Sequence, residues 1–527
     1  MIRGILKFVV VVLTFVFLVG LSRHSDKLFM KFFFGSLNMQ ERTTNESDTG
    51  FAELASNDKT KNKTTFEFPV NFMIGVSSSA HQIEGAWNED GKSPNVTCDS
   101  YHKFTEDIKA LNRVGFQHYR FSIAWSRILP NGSAVNQKGI DYYNKIIDEL
   151  ISRKIEPIVT IFHWDTPSWL QDLGGVLNPL FIDYLTAYAD VLFNSFGHKV
   201  KRWITINEPY NYCLFSYGYG IWAPGTKSPG FGDYLCGDNV LKANAKIYRL
   251  YRDKYFNQFG GQVGITLEGP FYVPKDSVTE EEHRRAMQYR LGWFADPIFG
   301  KDGGYPPVMV EEIAARSKIE GRPFTRFPAL SEEWRQLIKG SSDFFAINYY
   351  TSAMIEINKA ERDSTQEPSW GADSGVNETL NPEWKTSNTK WLQSYPEGLY
   401  GLLKWIKNEY ENPPVFITET GWSDEGEMED DDRIEYFNSH LVAVSKAIYE
   451  DGCNVVGYTA WSLMDSFEWN AGYTFKYGLH YVNFTSADKE RIPKKSVGFF
   501  QNVLKNRAVN ETVSGSHEKS SRKGSRD

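Results

Sequence analysis

The sequence is short of several things that would have narrowed its chemistry. It has four cysteines in 527 residues, Cys98, Cys213, Cys236 and Cys453. None stand as Cys-x-x-Cys, which argues against a zinc ribbon or a dithiol redox centre. Four cysteines allow three full pairings, and their spacing does not choose among them. No Gly-x-Gly-x-x-Gly follows the first candidate strand, so a dinucleotide-binding open sheet is disfavoured. Basic blocks are absent outside His517 to Asp527 (HEKSSRKGSRD), which is mixed in charge. With a net charge of -8, the chain lacks the clustered cations that displace counterions from nucleic acid. Long apolar runs are lacking too. Phe8 to Leu21, behind Arg3 and Lys7, is shorter than the ~20 residues a bilayer span takes.

That apolar run suits the core of a signal peptide. Cleavage after Ser22, with Gly20 two positions before it, predicts a secreted, extracellular protein. A second apolar patch, Phe29 to Leu37, keeps open an uncleaved anchor, and with it membrane attachment. Asn-x-Ser/Thr sequons at Asn45, Asn62, Asn95, Asn131, Asn377, Asn483 and Asn510 support export and glycosylation. Residues 23–65 are expected to be a polar linker. Residues 66–505 are expected to form one catalytic domain, and 506–527 a disordered polar tail. Thr365 to Thr389 shows no periodicity and is expected to be a long loop.

Aromatics make up 15% of the chain. Most must be core, because a binding site uses only a few. Within 66–505, β-branched apolar runs alternate with amphipathic stretches, the pattern of parallel βα units. The expected strands are Phe72–Val76, His118–Ile123, Pro157–Phe162, Trp203–Ile206, Val263–Leu267, Asp343–Ile347, Val415–Thr418 and Val455–Ala460. Between them Asp107–Val114, Gly139–Arg153 and Phe181–Phe196 read as helices, the last with an apolar stripe at Phe181, Tyr184, Leu185, Tyr188, Leu192 and Phe196. Eight such units predict an α/β fold, a (β/α)₈ TIM barrel, with its site at the C-terminal ends of the strands.

Those ends are chemically uneven. Gln82 and Glu84 follow the first, and Arg120 and Arg127 belong to the second. His163 and Asp165 follow the third, Asn207 and Glu208 the fourth, and Glu268 the fifth. Asn348 and Tyr350 follow the sixth, Glu419 the seventh, and Trp461, Asp465, Glu468 and Trp469 the eighth. Indole faces suit the C–H faces of a sugar, and amides, imidazole and carboxylates suit its hydroxyls. Glycosidic bonds are cleaved by two carboxyl groups, one protonating the leaving oxygen and one attacking or stabilising the anomeric carbon. Glu208 and Glu419 end strands that lie nearly opposite in an eight-stranded barrel. Pro209 is expected to bias Glu208 towards an extended backbone. Tyr350 and Arg120 are candidates for holding Glu419.

The chain resembles glycoside hydrolase family 1, the β-glucosidase family, in an arthropod-like style. The likeness rests on FMIGVSSSAHQIEGAWNEDGK (72–92), HYRFSIAWSRILP (118–130), TIFHWDTP (160–167), TINEP (205–209), INYYTS (347–352), ITETGWSD (417–424) and AWSLMDSFEWNAGY (460–473). The resemblance implies Glu208 as acid/base and Glu419 as nucleophile of a retaining β-glycosidase. Gln82, His163, Asn207, Glu468 and Trp469 would hold the terminal sugar, and Trp461 would stack on it. Tyr350 would bond Glu419, and Asn348 would line the same wall. No metal or organic cofactor is implied. Glu468 beside Trp469 favours a neutral β-D-glucoside, galactoside or fucoside over a phosphorylated sugar. A non-catalytic sugar-binding relative and a transglycosylase are the alternatives. Two departures stand out: Thr420 replaces the family's usual Asn after the nucleophile, and the segment between Lys92 and Ser100 is shortened.

Overall fold

The computed structural model describes residues 65–86, 96–358 and 367–511. The N-terminal apolar segment, most of the polar linker, and the sequons at Asn45, Asn62 and Asn95 lie outside the described residues. Eight strands close into a parallel barrel: β1 (Met73–Ser78), β2 (His118–Ser122), β3 (Glu156–Phe162), β4 (Arg202–Asn207), β5 (Gln262–Glu268), β6 (Phe345–Asn348), β7 (Val415–Thr420) and β8 (Val455–Trp461). Each pairs with its neighbour in sequence, and β8 returns to β1 through Gly457↔Met73. The alternative open sheet is thereby excluded.

Helices on the outside connect the strands. Leu180–Phe196 buries Phe181, Leu185, Tyr188, Leu192 and Phe196 against the strands, as its period requires. Inside, the barrel floor is a small apolar cluster of Ile158, Ile204, Phe344, Ala346 and Phe416. All sit near the N-terminal ends of their strands. Above the floor the interior turns polar. His118 meets Thr459 at 2.9 Å, and Arg120 lies in the same interior with 1% of its surface exposed. The polarity gradient along the axis puts the reactive groups at one mouth.

Two boundaries differ from expectation. Thr365–Thr389 is not one long loop: it contains a helix, Trp370–Ser374, and a strand, Val376–Thr379. That strand pairs with Ala353–Ile357, which also pairs with Tyr272–Pro274. The sheet was hidden because only Val376 of its four residues is buried, so no alternation shows. The polar tail begins later than residue 506. Ala508–Asn510 pairs with Thr65–Glu67, with Phe66 opposite Val509, both buried. Cys213 and Cys236 form a disulfide, while Cys98 and Cys453 are buried thiols.

Gly75 marks the tightest strand contact near the first strand's centre. It is the register partner of His118, and a Cβ there would stand 2.3 Å from the His118 carbonyl oxygen. Gly75→Ala is expected to destabilise the barrel by about 1–3 kcal/mol. A denaturation midpoint equal to that of the wild type would contradict this packing.

Candidate active site

Seven strand ends converge on one cavity of about 310 Å³ at the C-terminal mouth. Gln82, His163, Asn207, Glu208, Tyr350, Glu419, Trp461, Glu468 and Trp469 all line it. Both carboxylate strands break their ladder just before the glutamate. Register shifts fall between Ile204 and Asn207 in β4, and between Ile417 and Glu419 in β7. Such irregularities re-aim a side chain that strict alternation would send elsewhere. Thr205 still bonds outward to Asn244 at 2.7 Å, while Asn207 and Glu208 face the cavity two and three residues on.

Glu208 departs from the extended backbone expected before proline. Its φ is 46° and ψ 64°, in the left-handed region. The chain turns there from strand to helix within one residue. Two backbone bonds hold the turn: Glu208 N–H donates to Thr266 O at 2.8 Å, and Glu208 O accepts from Tyr212 N–H at 3.1 Å. Trp164 and Trp469 also have positive φ, 68° and 44°. Left-handed non-glycine residues cost about 1–3 kcal/mol each and gather where a site over-determines them.

One hydrogen-bonded relay joins the carboxyl groups. Arg120 ion-pairs with Glu419 through Nη1, and its Nη2 donates to Asn207 Oδ1 at 2.6 Å. Asn348 Nδ2 donates to Asn207 Oδ1 at 3.2 Å and to Glu208 Oε1 at 2.7 Å. Tyr350 O–H donates to Glu419 Oε2 at 2.7 Å. The two carboxyl environments differ sharply. Glu419 meets a guanidinium and a phenol. Glu208 meets only the neutral amides of Asn348 and Asn211. Burial, then the negative charges of Glu419 and Glu268, push the Glu208 carboxyl well above its ordinary range.

Asn348 corrects one expectation. It does not line the cavity but lies fully buried behind Glu208, its Oδ1 accepting from Thr418 Oγ1 at 2.7 Å. Arg120 likewise acts from beneath the cavity floor. The other residues expected to hold a sugar line the cavity. Gln82 Nε2 donates to Glu468 Oε2 at 3.1 Å and to Phe467 O at 2.8 Å. Asn207 Nδ2 stands 3.3 Å from His163 Nε2. Burial, then Arg120, hold the His163 imidazole well below its ordinary value, so it stays neutral. Trp469 is stacked on His81, centroids 5.4 Å apart. Glu84, Arg127, Asp165 and Asp465, also noted at strand ends, serve structure instead. Glu84 ion-pairs with Arg127, Asp165 accepts from Trp125 N–H, and Asp465 pairs with Lys494.

Sequence reasoning missed part of the lining. Glu268 was visible at its strand end but given no role. Arg290, Glu378, Trp222 and Trp391 come from the connections between strands and carried no signal. Neither departure from the family pattern reaches the cavity within the described residues. Thr420 is fully buried behind it. Of the shortened segment, residues 93–95 lie outside the described residues, and residues 96–99 do not line the cavity. Among the described residues no group of three or more His, Cys, Asp and Glu is placed to hold a metal ion.

A sequence model of Glycosyl hydrolase family 1 matches residues 64–509. Myrosinase 1 of Brevicoryne brassicae is 40% identical over 467 residues, 83% of this chain and 98% of that protein. The cytosolic beta-glucosidase of Homo sapiens is 38% identical over 469 residues, 84% of this chain and 99% of its own length. Among solved structures, a rice beta-glucosidase mutant in a covalent complex with Glc superposes with a TM-score of 0.78. It is 35% identical, and the match covers 83% of this chain and 99% of that one.

Burial, then the charge of Glu419, push the Glu468 carboxyl from 4.5 up to about 8. A folded-state value above the unfolded one means the proton binds more tightly to the folded chain. The resulting stabilisation is full below about pH 4.5 and is lost as pH rises through about 8. Glu468→Gln removes this dependence. Its melting temperature, followed by scanning fluorimetry across that window, is expected to fall less with rising pH than the wild-type value. Parallel curves would contradict the burial of an ionisable group there.

Proposed function

The chain belongs to glycosyl hydrolase family 1, and on that premise we propose that it cleaves terminal neutral β-D-glucosides with retention of anomeric configuration. That it is a β-glycosidase follows from the family and its relatives. The retaining chemistry, the residue roles and the sugar are the proposal. The observation that carries it is the relay from Glu208 through Asn348, Asn207 and Arg120 to Glu419 around one cavity.

Glu419 attacks the anomeric carbon while Glu208 gives its proton to the leaving oxygen. A covalent glycosyl-enzyme results. Esterification removes the negative charge of Glu419, which was one cause of the raised Glu208 value. With that charge gone Glu208, having given up its proton, stays a carboxylate and can take a proton from the attacking water. Water then releases the sugar with its original configuration.

Gln82 and Glu468, bonded to each other, supply donors and acceptors for sugar hydroxyls, and Trp461 supplies a ring face. Burial and the charge of Glu419 push the Glu468 carboxyl up to about 8, which weakens its charge near neutral pH. Preference for a neutral sugar thus comes less from full charge repulsion than from the want of a free cation on this wall. Arg290, the one arginine lining the cavity among the described residues, is engaged by Glu268. Export belongs to the same proposal. It is supported by the N-terminal apolar segment, by exposed sequon residues Asn131 and Asn510, and by the Cys213–Cys236 disulfide, which suits an oxidising compartment.

Steady-state kinetics on β-glucosides of graded leaving-group acidity test the roles. Glu419→Gln is expected to lose activity on all of them. In Glu208→Gln, kcat/KM should fall about 10²-fold or more on alkyl glucosides and far less on dinitrophenyl glucoside, whose leaving group needs no protonation, while kcat on the latter falls because the water-attack step loses its base. Wild-type rates in Glu419→Gln, or equal losses across leaving groups in Glu208→Gln, would overturn the assignment.

A further inference from the structure

Glu468 and Trp469 sit on the connection that follows β8, which also supplies Asn470, Phe475 and Tyr477 to the cavity. Its backbone is not relaxed. Trp469 has a φ of 44°, and a chain keeps such a residue only where its surroundings over-determine it. Near the tip, Phe467 N–H donates to Gln82 O at 3.2 Å, and Asn470 Nδ2 donates to Ile221 O at 2.7 Å. A second hold lies at the base of the connection, away from the cavity.

Asp465 makes that base. Its Oδ1 accepts from Gly478 N–H at 3.0 Å, which draws together the two ends of residues 466–477. The approach is so close that a Cβ on Gly478 would stand 1.9 Å from Asp465 N. The same oxygen accepts from Lys494 Nζ at 3.0 Å. Asp465 and Lys494 are both buried. Backbone bonds frame the pair: Asp465 N–H donates to His480 O at 2.9 Å, and Lys494 N–H to Leu479 O at 3.0 Å. Cys98, from the shortened segment after β1, donates its thiol to Asp465 O at 3.1 Å.

The hold continues towards the nucleophile. Lys494 Nζ lies 3.4 Å from Asp424 Oδ1, and Asp424 ion-pairs with Arg433. Arg433 donates to Trp422 O at 3.1 Å and to Lys476 O at 2.9 Å. Trp422 lies just beyond Glu419, and Lys476 belongs to the connection itself. The buried ions thus tie the segment that carries Glu468 to the end of β7. A buried ion pair is a poor source of net stability, because desolvation offsets the attraction. What these bonds supply is direction. Asp465 Oδ1 faces Gly478 N–H and Lys494 at once, which fixes the spacing between the two ends of the loop.

We propose that Asp465 and Lys494 are positioning residues for the sugar: their bonds at the base of residues 466–477 set where Glu468 and Trp469 stand. Neither residue lines the cavity. The inference rests on the glycosidase reading above, in which Glu468 and Trp469 hold the terminal sugar.

The test measures the inhibition constant of 1-deoxynojirimycin, a glycone-shaped inhibitor with no leaving group. It is read beside kcat/KM on methyl and 2,4-dinitrophenyl β-D-glucosides. An inhibition constant does not depend on how much of the sample is folded, so lost stability alone leaves it unmoved. Asp465→Ala removes the acceptor for Gly478 and Lys494. Its inhibition constant is expected to rise about tenfold, with kcat/KM falling by a similar factor on both glucosides, which share one glycone. Asp465→Asn keeps a carbonyl oxygen for both donors and is expected to stay within about threefold of wild type. If Asp465→Ala does not fold, the double variant Asp465→Ala/Lys494→Met, which removes the cation along with its acceptor, carries the same expectation. An inhibition constant within about twofold of wild type in the folded alanine or double variant would overturn the proposal, even with kcat/KM reduced. So would an asparagine variant as impaired as the alanine one, since charge rather than the closed loop base would then be acting. Wild type inactive on both glucosides would instead overturn the glycosidase reading beneath it. An active wild type with an insensitive inhibition constant in the variants leaves that reading intact and ends only this inference.

Discussion

A single buried guanidinium organises the reactive end of this barrel. Arg120 enters from β2 and reaches three other strands: Thr160 on β3, Asn207 on β4, and the Thr418 carbonyl and Glu419 side chain on β7. A charge taken so far from water is tolerated only when it is paired and its remaining donors are bonded. Satisfying Arg120 therefore fixes where Asn207 and Glu419 stand. Asn207 in turn fixes Asn348, and Asn348 fixes Glu208. The apolar floor of Ile158, Ile204 and Phe416 excludes water from below, which strengthens each of these bonds.

The relay also makes the two glutamates unequal. One carboxylate receives the cation. The other receives amides, an apolar surround and the fields of two further carboxyl groups. A carboxyl whose proton is held by burial, set across from one that pairs with a cation, is what acid and nucleophile roles require. Backbone strain contributes to the same end. Glu208 occupies a left-handed turn that a free chain would avoid, and the bonds from Thr266, Tyr212, Asn348 and Asn211 keep it there. The asymmetry is local, but the elements that impose it come from β2, β4, β5, β6 and β7, which only a closed barrel brings together.

Much of this was legible in the sequence, for physical reasons. The barrel strands were visible because strands buried on both sides read as continuous apolar, β-branched runs, as in Pro157–Phe162 and Val415–Thr418. Polar residues directly after such runs fall at the barrel mouth by topology alone, which drew attention to His163, Asn207, Glu208 and Glu419. What stayed hidden depends on three-dimensional detail. The register shifts before Asn207 and Glu419 leave no mark on composition. Proline after Glu208 pointed to an extended backbone, but the strand-to-helix turn and its two backbone bonds prevailed. Asn348 looked like a wall residue because it ends a strand, yet its side chain is consumed by Thr418, Asn207 and Glu208. Arg290 and Glu378 lie in long connections whose path no periodicity predicts. The small sheet carrying Glu378 has a single buried side chain in its edge strand, too few for a pattern.

The central claim is that Glu419 forms the covalent bond to the sugar. The most direct measurement is intact-protein and peptide mass spectrometry after incubation with 2,4-dinitrophenyl 2-deoxy-2-fluoro-β-D-glucoside, whose fluorine slows release of the intermediate. One sugar per chain, attached to the peptide containing Glu419, is the predicted result. An unlabelled but active enzyme, or a label on Glu208 or Glu268, would contradict the account.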